Sequence, residues 1–138
     1  MSSNLNSVLM IRPSSFRRNS ETATNNYFQN EILNLNNDSI LNKATLEFDK
    51  LVLKIKGCGI KVFVFQDDLT YDTPDSIYPN NWITFHTNKR IALYPMFAKN
   101  RRHERNEKVL EFLEKNKIYI NDLVDYGSAE KKEMFLEG

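Results

Sequence analysis

The residues best suited to chemistry gather in one stretch, Thr-Pro-Asp-Ser-Ile-Tyr-Pro-Asn-Asn-Trp at positions 73–82. It carries one carboxylate, Asp75, two adjacent amides, Asn80 and Asn81, and two aromatic rings, Tyr78 and Trp82. Pro74 and Pro79 fix their own φ at about −65° and push the residues before them toward extended geometry, so the stretch is stiff. A stiff, polar, aromatic-lined loop that runs straight into a strand at 82–85 is suited to holding a small polar ligand. On residue types alone the simpler reading is a proline-stiffened turn whose Asn and Asp side chains bond their own backbone.

The other reactive side chains are sparse. Cys58 is the only cysteine, which excludes a disulfide framework and a cysteine-rich metal site. It sits between Gly57 and Gly59 at a helix-to-strand turn, where a structural, partly buried thiol is expected rather than a nucleophile. The two histidines, His86 and His103, lie far apart in sequence, so no zinc site is expected. His86 falls at a strand end and His103 near a helix start, both as surface or locally hydrogen-bonded residues. Glu104, Lys108 and Glu111 read as the solvated face of a helix, with Glu104 and Lys108 spaced as an i,i+4 pair.

Composition narrows the class. The chain has 138 residues, enough for one domain with a modest core. It is 41% hydrophobic and 27% charged, with a formal net charge of +1. That balance argues against nucleic acid or an anionic membrane as a partner. No apolar run reaches the length of about 18 residues that a membrane span needs, and the first residues lack a signal-peptide pattern. A cytoplasmic location is therefore expected.

These residues need elements to hold them. Positions 8–11 form an apolar run ended by Arg12-Pro13 and read as a buried strand. Residues 14–26 read as a loop, 27–35 as a short helix, and the asparagine-rich 36–42 as a surface loop. Residues 43–56 are the clearest helix, with Ala44, Phe48, Leu51, Val52 and Ile55 on one stripe and Gly57 and Gly59 as its stop. Residues 60–65 are apolar on both faces and suggest an interior strand. Beyond the focal loop, strands at 82–86 and 90–95 join through a tight turn at 87–89 and run antiparallel. A helix over 102–115, with Val109, Leu110 and Leu113 inward and Phe112 at its margin, leads to a strand at 118–124. One further short element falls within 125–137. The fold class is α/β, and 82–124 run strand, strand, helix, strand.

Six blocks then fall in a telling order: 8–13 (Val-Leu-Met-Ile-Arg-Pro), 25–29 (Asn-Asn-Tyr-Phe-Gln), 73–82, 93–97 (Leu-Tyr-Pro-Met-Phe), 100–102 (Asn-Arg-Arg) and 135–138 (Phe-Leu-Glu-Gly). Together they resemble the amidinotransferase, or guanidino-modifying enzyme, superfamily, and most closely its citrulline-utilisation hydrolase branch. The resemblance covers about residues 7–138, nearly the whole chain. The 73–82 block is its most specific part. The others are weak singly, but their joint order is hard to obtain by chance.

The resemblance implies a five-bladed α/β propeller (pentein-like) built from strand-strand-helix-strand blades, of which two would be present here. It implies hydrolysis or transfer at the carbon–nitrogen bond of citrulline- or arginine-like amino acids. A cysteine attacks the carbon, a histidine shuttles protons and a carboxylate orients the histidine. It implies no metal and no organic cofactor. Asp75 matches the aspartate that grips substrate nitrogens, since a carboxylate accepts two parallel N–H bonds. Asn81 stands where many guanidine-acting relatives carry a second aspartate, and its NH2 can donate to a ureido oxygen. Asn80 and Tyr78 flank it in the same block. Arg101 or Arg102 matches the arginine for the substrate's α-carboxylate, and Glu137 matches the triad carboxylate.

The family's histidine and cysteine lie beyond this Glu-Gly, so the chain is expected to be the amino-terminal portion of one catalytic domain, residues 8–138, after a disordered 1–7. Alone it is expected to be inactive. A non-catalytic α/β protein that binds a small amino acid, forms a homo-oligomer, or pairs with a chain supplying the missing half is the alternative.

Overall fold

Residues 6–22 and 36–136 are described in the computed structural model. They fall into two units, Met1–Ile77 and Tyr78–Gly138. The short helix expected at 27–35, the 25–29 block and Glu137 lie outside the described residues.

In the first unit, strand β1 (Ser7–Arg12) pairs in parallel with strand β2 (Lys61–Gln66), in register from Ser7 opposite Lys61 to Arg12 opposite Gln66. β1 opens at Ser7, one residue inside the segment expected to be disordered. Parallel strands cannot be joined by a hairpin and need a crossover. Helix α1 (Asn37–Gly57) lies between them in sequence. Among the described residues β2 pairs with β1 alone, so it is not the interior strand its apolar faces suggested.

α1 begins six residues earlier than its apolar stripe implies, and the asparagine-rich 36–42 is its first turn and a half rather than a loop. Asn36 is the reason. Its Oδ1 accepts the Ser39 N–H at 2.8 Å, satisfying one of the helix's otherwise unpaired donors. Asp38 in the first turn and Lys54 and Lys56 in the last complement the helix dipole. The chain leaves through Cys58 as C-cap and Gly59 at φ +80°, a conformation glycine adopts without steric cost. Phe48 and Val52 are buried, whereas Leu51 is half exposed, so the buried stripe is narrower than expected. The Arg12 guanidinium forks onto Asp49 of α1, Nε to Oδ1 and Nη2 to Oδ2, both at 2.9 Å. That hydrogen bond, with the guanidinium's charge, holds the Asp49 carboxyl below its ordinary value.

In the second unit, strands β3 (Ile83–His86) and β4 (Arg90–Leu93) form the expected antiparallel hairpin. Asn88 and Lys89 turn the corner with φ of 63° and 59°. Strand β5 (Asp122–Asp125) adds in parallel to β4, giving the order β3-β4-β5. The single helix expected over 102–115 is two: α2 (Lys99–Arg102) and α3 (Glu107–Lys115). The break follows from Asn106, whose Oδ1 accepts the Lys108 N–H at 2.8 Å and starts a new helix. Val109 and Leu113 bury the inner side of α3, with Trp82, Ile83, Ile91, Leu93 and Met96 buried in the same unit. A 3-10 turn, Gly127–Lys132, follows β5.

Glu130 in that turn ties three segments. It accepts the Met96 N–H at 2.9 Å, pairs with Arg105, and stands 3.4 Å from the Arg102 Nε. Burial pushes its carboxyl up, but the bonds from Arg105 and Met96 and the charges of both arginines outweigh it, so the net direction is down.

The architecture is thus mixed α/β, as the sequence implies. Among the described residues no helix is long and apolar enough to cross a membrane.

Two measurements check these elements. Asn36→Ala is expected to lower stability by about 1 kcal/mol in urea unfolding, the usual worth of a side-chain cap; an unchanged midpoint would mean the cap is not engaged. Glu130→Gln tests the clamp through pH. A carboxyl depressed in the folded state stabilises above its unfolded value near 4.5 and loses that contribution as pH falls through the folded one. The variant is expected to be less stable than the parent at pH 7, with the gap closing below pH 4.5. A gap no smaller at pH 3 than at pH 7 would mean that ionisation of Glu130 contributes nothing.

Candidate functional site

The focal stretch divides between the two units, and each part is held by its own unit. In the first, residues 73–76 form a turn closed by Ser76 N–H to Thr73 O at 3.1 Å. Thr73 Oγ1 donates to Asp67 Oδ2 at 2.9 Å. Thr73, Pro74, Asp75 and Ser76 are all buried, Asp75 with only 6% of its surface exposed.

A buried carboxylate needs donors. Asp75 Oδ2 accepts from Asn19 Nδ2 at 2.7 Å and from Thr22 Oγ1 at 3.4 Å. Asn19 is itself 1% exposed, and its Oδ1 accepts the Glu21 N–H at 3.1 Å, so a tight turn forms around its amide. Arg17 is bound to Asp72 through Nη1 to Oδ1 at 2.8 Å. This bond, and then the charges of Asp72 and Asp75, raise the Arg17 value against a desolvation that opposes them. Among the described residues the Ser76 Oγ is buried without a hydrogen-bond partner, as is the Trp82 Nε1.

In the second unit, Pro79–Asn81 is a 3-10 turn, with Trp82 N–H bonded to Pro79 O at 3.1 Å. Arg101 of α2 is 7% exposed and Glu104 is 5% exposed. The two form a fork: Nε to Oε1 at 2.9 Å and Nη2 to Oε2 at 3.0 Å. Arg101 Nη1 also donates to Asn81 Oδ1 at 3.1 Å, and Nη2 to the Tyr78 carbonyl at 3.3 Å. Tyr78, Asn81 and Arg101 are therefore one cluster. Asn80 is exposed in the middle of the turn.

The expectation that Glu104 belongs to a solvated helix face is overturned. It precedes α3 and is withdrawn from water against Arg101. Arg102 turns elsewhere, donating from Nε to Met96 O at 2.9 Å and from Nη2 to Phe97 O at 3.3 Å.

Residues 12–138 match the family described as N,N dimethylarginine dimethylhydrolase, eukaryotic. The chain belongs to that family. This places it in the amidinotransferase superfamily that the six blocks resemble. The fold also matches a crystal structure of a dimethylarginine dimethylaminohydrolase carrying a histidine-to-glycine change, in an adduct with S-methyl-L-thiocitrulline. The TM-score is 0.54 at 12% identity, over 88% of this chain and 41% of that one, a likeness of fold. The chain thus spans well under half the length of the structure it matches. No curated protein matches its sequence.

Cys58 is exposed at the α1 C-cap, not partly buried, because the helix ends there before β2 begins. His86 Nε2 lies 2.8 Å from Thr84 Oγ1, which also meets the Tyr94 hydroxyl at 2.9 Å, so His86 is locally hydrogen-bonded as expected. His103 is exposed at the end of α2. Among the described residues no group of three His, Cys, Asp or Glu side chains could hold a metal ion. A cleft of about 610 Å³ lies elsewhere in the second unit, lined by His86, Ala92, Tyr94, Tyr126 and Met134 among others, and contains none of Asp75, Asn81 or Arg101.

Sequence reasoning missed Asn19, Thr22 and Glu104. The i,i+3 spacing of Glu104 from Arg101 is a local signal that could have found it. Asn19 has none, since it stands 56 residues from its partner. Asn19→Ala is expected to lower stability by about 1–3 kcal/mol in urea unfolding, the usual cost of removing a donor from a buried acceptor. A change under about 0.5 kcal/mol, ordinary for surface positions, would show that Asp75 does not depend on it.

Proposed function

We propose that this chain supplies the substrate-gripping part of a hydrolase acting on the ureido or guanidino carbon–nitrogen bond of a citrulline- or arginine-like amino acid. The buried carboxylate of Asp75, fixed by Asn19 inside the family-matched region, carries this reading. Asp75 takes the substrate's terminal N–H groups, because a carboxylate accepts two parallel donors. Asn81, in the second unit, stands where many guanidine-acting relatives carry a second aspartate, with Tyr78 and Asn80 beside it in the same block. Arg101 or Arg102 is the arginine for the α-carboxylate; Arg101 is bonded to Glu104 and Asn81, and Arg102 to the Met96 and Phe97 carbonyls.

The rest of the chemistry follows the superfamily pattern. A cysteine attacks the ureido or guanidino carbon, a histidine moves protons, and Glu137 orients that histidine. Cys58, at a helix cap, is not proposed as the nucleophile. The two units correspond to two blades of a five-bladed propeller within one catalytic domain, and the second unit's order of two strands, two short helices and a strand supports that assignment. Residues 1–138 alone bind but do not turn over substrate.

The family description names dimethylarginine, a cation, while Asn81 favours a neutral ureido group. A guanidinium offers donors only, whereas a ureido group also presents an oxygen that an amide NH2 can meet. Citrulline-like substrates are therefore preferred. A second reading is a non-catalytic α/β protein that pairs with itself or a partner chain. The exposed Tyr126, Met134 and Leu136 of the second unit favour it.

Calorimetric titration with L-citrulline, N,N-dimethylarginine and L-arginine decides among these. Citrulline is expected to bind, to stabilise by about 2.7 kcal/mol at a hundredfold excess over Kd, and to release no ammonia. Asp75→Asn is expected to abolish binding. Binding of none of the three, or a clear preference for arginine, would overturn the proposal.

A further inference from the structure

We propose that Glu104 is a positioning residue that decides, through Arg101, which end of the Asn81 amide a ligand meets. The inference deepens the substrate reading above and rests on it for its meaning, though not for its geometry.

The two ends of an asparagine amide are nearly the same size and opposite in function. What fixes the choice is the neighbour. Arg101 Nη1 stands 3.1 Å from the Asn81 oxygen. A guanidinium only donates, so this contact exists only with the amide oxygen turned toward it. Rotated by half a turn, Asn81 would set NH2 against N–H and lose the bond. The NH2 is thereby assigned to the opposite side of an exposed residue. A ligand at Asn81 then meets two donors and no acceptor. That suits a carbonyl oxygen, as in a ureido group, and disfavours a guanidinium.

Arg101 can impose this only if it cannot swing. Glu104 takes Nε and Nη2 together, which sets the guanidinium plane and leaves Nη1 for Asn81. The Tyr78 carbonyl adds a further bond to Nη2. The Glu104 side chain is 1% exposed and that of Arg101 9%, so water does not loosen the pair as it does at a surface. The specificity element is thus a relay from a buried carboxylate to a guanidinium to an amide. Of the three, Asn81 is the exposed one.

The test uses the full chain, labelled with 15N and 13C. A scalar coupling across the hydrogen bond, from Arg101 Nη1 to the Asn81 side-chain carbonyl carbon, is expected in the parent protein. It is expected to vanish in Glu104→Gln, whose own NH2 would face the guanidinium. The ratio of citrulline to arginine affinity is expected to fall about tenfold in that variant, the loss of one well-placed hydrogen bond. A coupling that survives in Glu104→Gln, or is absent from the parent, overturns the proposal, as does an unchanged ratio. If the parent binds neither ligand, the substrate reading fails while the coupling still decides the positioning. Should Glu104→Gln not fold, Arg101→Lys takes its place. A lysine keeps a positive partner for Glu104 but cannot span Glu104, Asn81 and Tyr78, so the same loss of preference is expected, and an intact preference refutes the relay.

Discussion

A guanidinium and a carboxylate leave water at a cost of several kcal/mol each, and only close, well-directed pairing offsets it. Arg101 and Glu104 meet that condition with two near-parallel bonds. Stranding either charge typically costs about 3–5 kcal/mol, so the pair is a strong constraint on everything it touches. It touches a good deal. The short α2 has no side-chain cap of its own, and the pair anchors its last turn. The same guanidinium grips the Tyr78 carbonyl and the Asn81 amide, which frame the 3-10 turn leading into Trp82 and β3. Fold and candidate site in the second unit therefore share one interaction. A change there cannot alter ligand preference without also being felt as stability.

The first unit solves a similar problem differently. Asp75 is buried as deeply as Glu104, yet the bonds seen to its Oδ2 come from an amide and a hydroxyl. Those donors orient the carboxylate without cancelling its charge. Its field still reaches Arg17, favouring that guanidinium. Glu104 is paired with Arg101, while Asp75 is oriented by an amide and a hydroxyl from a distant part of the chain.

Much of this was legible in the sequence, and what was not has physical reasons. Two strand-forming runs joined by a tight turn located β3 and β4, because a hairpin is a local structure. The core of α1 was legible from Phe48 and Val52, but its first turn was not. Asparagines usually signal loops because their side chains compete with the backbone, and at Asn36 that same competition becomes a cap. The continuous polar run over 99–108 hid the break between α2 and α3, since helix-compatible residues fill it and only Asn106 marks the restart. Asn81 and Asp75 stood out within one stiff block. Their keepers did not: Asn19 acts across 56 positions, and the charge of Glu104 gave no hint of burial. A stiff local block declares its own residues more readily than the ones that hold them in place.

The parallel pairing of β1 with β2 has a consequence in time. Arg12 and its register partner Gln66 are 54 positions apart. At translation rates of about 5–20 residues per second, β1 is made roughly 3–11 s before the strand that completes it. Throughout that interval Val8, Leu9, Met10 and Ile11 are an apolar segment with open backbone donors and acceptors on a nascent chain. α1 can form in the meantime from local contacts alone, but it cannot supply a strand edge. The order in which this chain is synthesised thus leaves its first strand to be shielded by something other than its native partner.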